Sequence, residues 1–190
     1  MKGVVFTEFI EMVEDRFGLE TVDGTIEDAG VSGAYTATGT YDACELLRLV
    51  GALSARTGIA VPALIRAYGE YLFGRFAQSY PQFLTGVSCP LAFMERIERT
   101  IHAEVLKLYP DAELPHFEVE HRDDTTLVLI YRSPRPLADL AEGLIHSCIA
   151  HFRRQGRVER EPLPCPSGSA ERFLITLVAD QVECPTATRG

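Results

Sequence analysis

The hydrophobic period of this chain changes at Pro115, and no other feature constrains its fold as strongly. Before Pro115 apolar residues recur every three to four positions, the spacing of one helix face; after it they alternate, the spacing of a half-buried strand. Phe6, Phe9, Ile10, Val13 and Phe17 mark the first helix, with Glu8, Glu11, Glu14 and Asp15 on its other faces and Gly18 as its stop. A short amphipathic segment follows over residues 19–29, then a Gly/Thr/Ser-rich loop over 30–39. Residues 42–56 read as a helix ended by Gly58. Pro62, at a first-turn position, opens another that runs to about Ser79, where Tyr80-Pro81 breaks it. Pro90 opens a helix over residues 91–108, closed by Tyr109-Pro110. Beyond Pro115, residues 117–120 and 127–131 read as strands joined by a turn at 121–124. A long helix over 137–152 follows, then strands near 158–163 and 172–179 with a turn at Ser167-Gly168-Ser169. Helices first, then antiparallel strands with one intervening helix, predict an α+β domain. Its expected extent is residues 1–182, with 183–190 as a flexible tail rich in Pro, Thr, Ala and Gly.

Composition removes several functional classes. With 190 residues, 46% of them hydrophobic, the chain can bury one proper core. A formal net charge of -9 repels phosphate backbones, so no nucleic-acid partner is expected. No uncharged stretch approaches the ~20 residues needed to span a bilayer, so no membrane partner is expected either. The five cysteines are odd in number and form no C-x-x-C pair. That argues against a disulfide scaffold and for a reducing, cytoplasmic setting. No P-loop, G-x-G-x-x-G or G-x-S-x-G motif occurs, and no isolated carboxylate pair stands out, so the chain does not read as an enzyme.

Two groups of residues carry chemistry. His102 lies beside the apolar stripe Ile97, Ile101, Val105 and Leu108, which sets its imidazole at the edge of a buried face. A helical histidine is ordinarily structural; its chemical alternative is a metal or heme ligand, because neutral imidazole binds iron well. Tyr131, Ser133 and Arg135 stand at alternate positions leaving a strand, each step spanning about 6–7 Å along one face. A phenol, a hydroxyl and a guanidinium in one row suit a dicarboxylate such as the propionates of a porphyrin, since arginine grips a carboxylate with two parallel N–H groups. The plain alternative is a polar sheet edge next to Pro134. His116, His121, His146 and His151 lack metal-ligand spacing and read as ordinary.

Taken together, these segments resemble the H-NOX family, the heme nitric oxide/oxygen binding domains of bacterial sensors and of the soluble guanylate cyclase β subunit. The similarity spans about residues 1–180. It rests on Met1-Lys2-Gly3-Val4-Val5, Gly69-Glu70-Tyr71-Leu72-Phe73, Ile101-His102, the run from Lys107 to Pro115, the Tyr131–Ser133–Arg135 row and Ala141-Glu142-Gly143-Leu144-Ile145. The resemblance implies a helical N-terminal subdomain packed on a C-terminal antiparallel sheet with helices, and a heme b between them. It implies His102 as the proximal iron ligand, Tyr131, Ser133 and Arg135 as the propionate clamp, and Pro115 as the residue that presses on the porphyrin and bends it.

Two departures from the family pattern sharpen the expectation. The position of the distal tyrosine found in oxygen-binding members is Leu140 here, and the rest of that pocket reads Val5, Phe9 and Leu144, none of which carries a side-chain donor. Bound dioxygen gains from a hydrogen bond that NO and CO hardly need, and losing a charge-assisted one costs about 1.5–3 kcal/mol. The positions that hold zinc in many bacterial relatives read Ala138, Pro162, Cys165 and Phe173, and one thiolate cannot build a tetrahedral site, so no zinc is expected. With these departures, the resemblance implies a ferrous heme sensor of nitric oxide, binding CO as well, and by that resemblance its receiver in trans is expected to be a histidine kinase or a diguanylate cyclase/phosphodiesterase. An oxygen sensor or carrier of the same fold, and a heme-free interaction module, are the alternatives.

Overall fold

The computed structural model describes residues 1–178. The expected domain end at 182 and the tail at 183–190 lie outside the described residues. Seven α-helices and a four-stranded sheet form the described chain: α1 (Val4–Phe17), α2 (Leu19–Ala29), α3 (Ala43–Thr57), α4 (Val61–Ser79), α5 (Pro90–Glu95), α6 (Ala103–Leu108), β1 (His116–Arg122), β2 (Thr126–Ser133), α7 (Ala138–His151), β3 (Gly156–Pro162) and β4 (Ser169–Leu177). A single 3-10 turn, Pro81–Phe83, follows α4, and a π-helical turn, Ile97–His102, joins α5 to α6.

Local chemistry sets the helix ends. Asp42 accepts the Cys44 N–H at 2.9 Å and so satisfies one of the free donors at the start of α3. Gly58 closes the same helix with φ 71°, a left-handed conformation that a side chain would strain. Every strand pairing is antiparallel, in the order β1-β2-β4-β3. The central strands β2 and β4 carry the buried Leu127, Leu129, Tyr131, Phe173 and Ile175, whereas the edge strands β1 and β3 are mostly exposed and charged, which discourages further strand addition.

Two hydrophobic cores result. The first, between α1, α2, α3 and α4, is built on Phe6, Phe9, Met12, Leu46, Leu49, Leu53 and Tyr68. The second lies over the sheet and holds Leu91, Phe93, Leu127, Leu129, Tyr131 and Phe173. Helix α4 serves both cores, with Tyr68 and Leu72 in one and Phe73 in the other, and on α7 Leu144 packs against both. The two helices meet backbone to backbone at Gly69 and Gly143: a Cβ on Gly69 would lie 2.3 Å from the Leu140 carbonyl oxygen, and one on Gly143 would lie 2.1 Å from that of Arg66.

The structure corrects several readings. The helix expected over 91–108 is broken by the π turn, whose extra residue rotates everything that follows. Leu108, placed by its spacing on the buried stripe with Ile97 and Ile101, is consequently 70% exposed. The turn expected at 121–124 begins later, because a bulge between Val119 and His121 lets β1 continue to Arg122. Glu8, read as a solvent-facing acid, is buried and receives Arg75 Nε at 2.5 Å. Among the described residues, Cys44, Cys148 and Cys165 are free thiols. Among the described residues no single helix is long and apolar enough to cross a membrane.

Candidate functional site

The π turn delivers His102 against the start of β1. Its side chain is 13% exposed, its ring lies 5.9 Å from that of Phe117, and Phe117 in turn lies 5.4 Å from Tyr131, its register partner on β2. His102 Nδ1 is 3.1 Å from Glu98 Oε2. Glu98 also receives His116 Nδ1 at 2.9 Å and the Phe117 backbone N–H at 3.1 Å. Burial pushes the Glu98 carboxyl up, but the donors from Phe117, His116 and His102 outweigh it and hold the group below its ordinary value, as a carboxylate. A carboxylate only accepts, so the His102 proton sits on Nδ1 and the lone pair on Nε2. Burial lowers the His102 pKa, partly opposed by Glu98, which keeps the imidazole neutral as metal ligation requires.

Tyr131, Ser133 and Arg135 come together at the far end of β2. Tyr131 and Ser133 are both buried. Burial raises the Tyr131 pKa, while Ser133 and the Arg135 charge pull it back. Arg135 stands past the last strand residue rather than on the strand, yet its backbone N–H donates to Ser133 Oγ at 3.1 Å, which folds it back onto the row. Its guanidinium is 12% exposed and grips Glu113 twice, Nη1 on the carbonyl oxygen at 2.8 Å and Nη2 on the carboxylate. Arg135, but neither Tyr131 nor Ser133, lines a cleft of about 430 Å³ together with Met1, Lys2, Asp111, Glu113 and Pro134.

The apolar residues singled out from the sequence divide between the cores. Phe9 is fully buried in the N-terminal core, with Val5 and Leu140 half-buried against it and Leu144 packed on both cores. Pro115 is half-buried and immediately precedes β1. Of the four positions aligned with zinc ligands, Ala138 and Phe173 are buried in the sheet-side core, Pro162 ends β3, and the exposed Cys165 thiol donates to the Ser167 carbonyl at 2.9 Å. Two residues escaped the sequence reading. Glu98 precedes His102 by four positions, one helical turn, and that spacing alone could have drawn attention to it. Glu113 gave no signal, because its contact with Arg135 spans 22 residues.

The residues present fit a heme. His102 offers an unshared Nε2 on a neutral ring backed by a carboxylate, the usual support for a metal-bound histidine. Arg135 already holds a carboxylate, the group a propionate would present, beside two buried hydroxyls.

A family model described as Haem-NO-binding matches residues 2–160. The chain belongs to that family, the heme-binding gas sensors known as H-NOX. Among solved structures, it is 38% identical to an unliganded Fe(II) H-NOX protein from K. algicida, with a TM-score of 0.89 over 96% of this chain and 99% of that one. It is 25% identical to an H-NOX protein from S. oneidensis solved in the Fe(II)NO ligation state, with a TM-score of 0.84 over 94% of this chain and all (100%) of that one. An H-NOX variant from T. tengcongensis, at 22% identity and a TM-score of 0.86 over 96% of this chain and 100% of that one, shares the fold. A search of curated proteins finds no match.

Proposed function

We propose that this protein is a nitric oxide sensor that holds heme b through His102 and signals in trans to a separate protein, without catalysis of its own. The observation that carries the reading is the state of His102: Nδ1 is committed to Glu98, and Nε2 is free on a ring that borders the Phe117–Tyr131 row. Heme, when bound, would be held by His102 and would supply a ferrous iron able to take up a diatomic gas. Tyr131, Ser133 and Arg135 would hold the propionates, with Arg135 exchanging the Glu113 carboxylate for one of them. Pro115, next to β1, would set the porphyrin's tilt and curvature.

Val5, Phe9, Leu140 and Leu144 would line the gas side. None donates a hydrogen bond, so the pocket gives dioxygen nothing that would stabilise its partial negative charge, whereas NO and CO bind without such help. The change of state has a structural route, because α4 and α7 each serve both cores and touch at Gly69 and Gly143. A shift on one side of that contact moves the other. A histidine kinase or a diguanylate cyclase/phosphodiesterase fits as receiver, and the two ligand states must differ in affinity for it if the signal is to pass.

The absorption spectrum of the purified protein tests this directly. The ferrous form should show a five-coordinate, high-spin Soret band, bind NO and CO, and form no lasting dioxygen complex in air. His102→Ala should lose heme unless imidazole is supplied. Full heme occupancy with an unchanged spectrum in His102→Ala would refute the ligand, and a persistent oxy spectrum in the unmodified protein would refute the apolar gas pocket.

A further inference from the structure

Glu98 gathers three donors from two elements around the candidate ligand. Its Oε2 accepts from His102 Nδ1 at 3.1 Å and from the Phe117 N–H at 3.1 Å, and its Oε1 accepts from His116 Nδ1 at 2.9 Å. The first donor belongs to the π turn and the other two open β1. We propose that Glu98 is the positioning residue for His102: its carboxylate fixes the tautomer and orientation of the ligand imidazole and ties that imidazole to the first residues of β1, so that the two move as one unit. This rests on the reading of His102 as the heme ligand.

Three physical arguments support it. A carboxylate on Nδ1–H raises the basicity of the other ring nitrogen, strengthening the bond that nitrogen makes to a metal. The contact also survives loss of that bond, because Glu98 holds the ring from the side opposite to Nε2. With or without a metal on Nε2, the imidazole would therefore stay tied to β1, and a movement of the π turn would be carried to the sheet edge. Finally, the π turn explains why Glu98 can serve both partners. A π-helical turn widens the helix and re-aims side chains within it, and such turns concentrate at functional sites. Here it lets Glu98 reach His102 within its own turn while facing His116 and Phe117 on the neighbouring strand.

The test compares Glu98→Gln and Glu98→Ala with the unmodified heme-loaded protein. Glu98→Gln keeps the shape and one acceptor oxygen but removes the charge, and so reports on the role of the carboxylate even if the alanine variant folds poorly. Resonance Raman spectra of the ferrous proteins should show the iron–histidine stretch moving to lower frequency in both variants, further in Glu98→Ala. Heme transfer to an excess of apomyoglobin should become roughly 10- to 100-fold faster, the usual cost of removing a metal ligand's supporting partner. In heme-free protein, ¹⁵N spectra of the imidazoles should show His102 as the Nδ1–H tautomer, retained in Glu98→Gln and mixed in Glu98→Ala. An unchanged stretch and unchanged heme transfer in both variants would overturn the inference. Absence of any iron–histidine stretch in the unmodified protein would instead overturn the assignment of His102, so the two failures are distinguishable.

Discussion

The contact between α4 and α7 yields the sharpest stability prediction. A Cβ built on Gly143 falls 2.1 Å from the Arg66 carbonyl oxygen, with the Arg66 carbonyl carbon and the Glu70 nitrogen at 3.0 Å. All three are backbone atoms, so no side chain can rotate away to make room. Gly143→Ala must push the two helices apart by roughly 1 Å before the new methyl group reaches ordinary contact, and overpacking of that kind costs about 1–3 kcal/mol. Replacing glycine by alanine inside a helix returns about 0.8–1 kcal/mol. The net loss is therefore about 1 kcal/mol at its centre. For a chain of this length that lowers the melting temperature by roughly 2–4 °C. Gly51 in α3 and Gly74 in α4 provide internal controls, because nothing lies within 4 Å of a Cβ at either position. Gly51→Ala and Gly74→Ala should melt at or above the unmodified protein, by up to about 1 kcal/mol in stability. Thermal and urea unfolding of the three variants, at equal heme occupancy because bound ligand adds its own stabilisation, decides the matter. If Gly143→Ala melts with the two controls, the helices do not meet as described and the argument for mechanical coupling between the cores fails with it.

Arg135→Ala should release heme faster than Ser133→Ala by roughly tenfold, because hydrogen bonds to charged groups contribute about 1.5–3 kcal/mol and neutral ones about 0.5–1.5; equal rates of heme transfer would mean that the propionates lie elsewhere. Burial pushes the Cys148 thiol far up, so it should resist a disulfide-exchange reagent in the native protein. Cys44→Ser and Cys165→Ser should each remove one fast-reacting thiol, and Cys148→Ser none. Asp123 is held below its ordinary value by His121 first, and then by the N–H groups of Thr125 and Thr126. A depressed carboxyl contributes stability that is complete above its unfolded value, near 3.8, and is lost as the pH falls further. Asp123→Asn should accordingly flatten the acid limb of the unfolding profile, with hydrogen exchange of the Thr126 amide as the local probe.

Much of the fold was readable because its signals are local. Gly18, Asp42, Gly58, Pro62 and Pro90 act on their own helix ends, and the alternation after Pro115 belongs to the strands themselves. Tyr131, Ser133 and Arg135 were recognisable as a row for the same reason, although Arg135 reaches it through a hydrogen bond beyond the strand and not through strand geometry. The π turn was not readable. Ile97, Ile101, Val105 and Leu108 fit an unbroken α-helix, and no local signal in the sequence marks the wider turn. Glu8 with Arg75 and Glu113 with Arg135 were hidden because the partners are 67 and 22 residues apart, and a single sequence gives no reason to pair one acid rather than another.

One buried group bears on whether the gas pocket is as apolar as its lining residues suggest. Tyr68 is fully buried in the N-terminal core, its ring edge-on to Phe9 at 5.3 Å, so a phenolic O–H lies in the same core as the residues proposed to face the ligand. That donor is already committed, since Tyr68 Oη donates to the Val5 carbonyl at 2.5 Å. Turning it toward a bound gas would strip a buried acceptor of its partner and break a bond made in a low-dielectric interior, a cost of about 1–3 kcal/mol. A hydrogen bond to polarised dioxygen contributes about as much, so the exchange gains nothing. Burial also raises the Tyr68 pKa well above its ordinary value, which keeps the phenol protonated and in place as a donor to Val5. The proposed preference for NO thus depends on more than the absence of a donor at Leu140: the phenol within the same core is held by the first turn of α1, where its hydrogen bond fixes Val5 and, through the edge-on rings, Phe9.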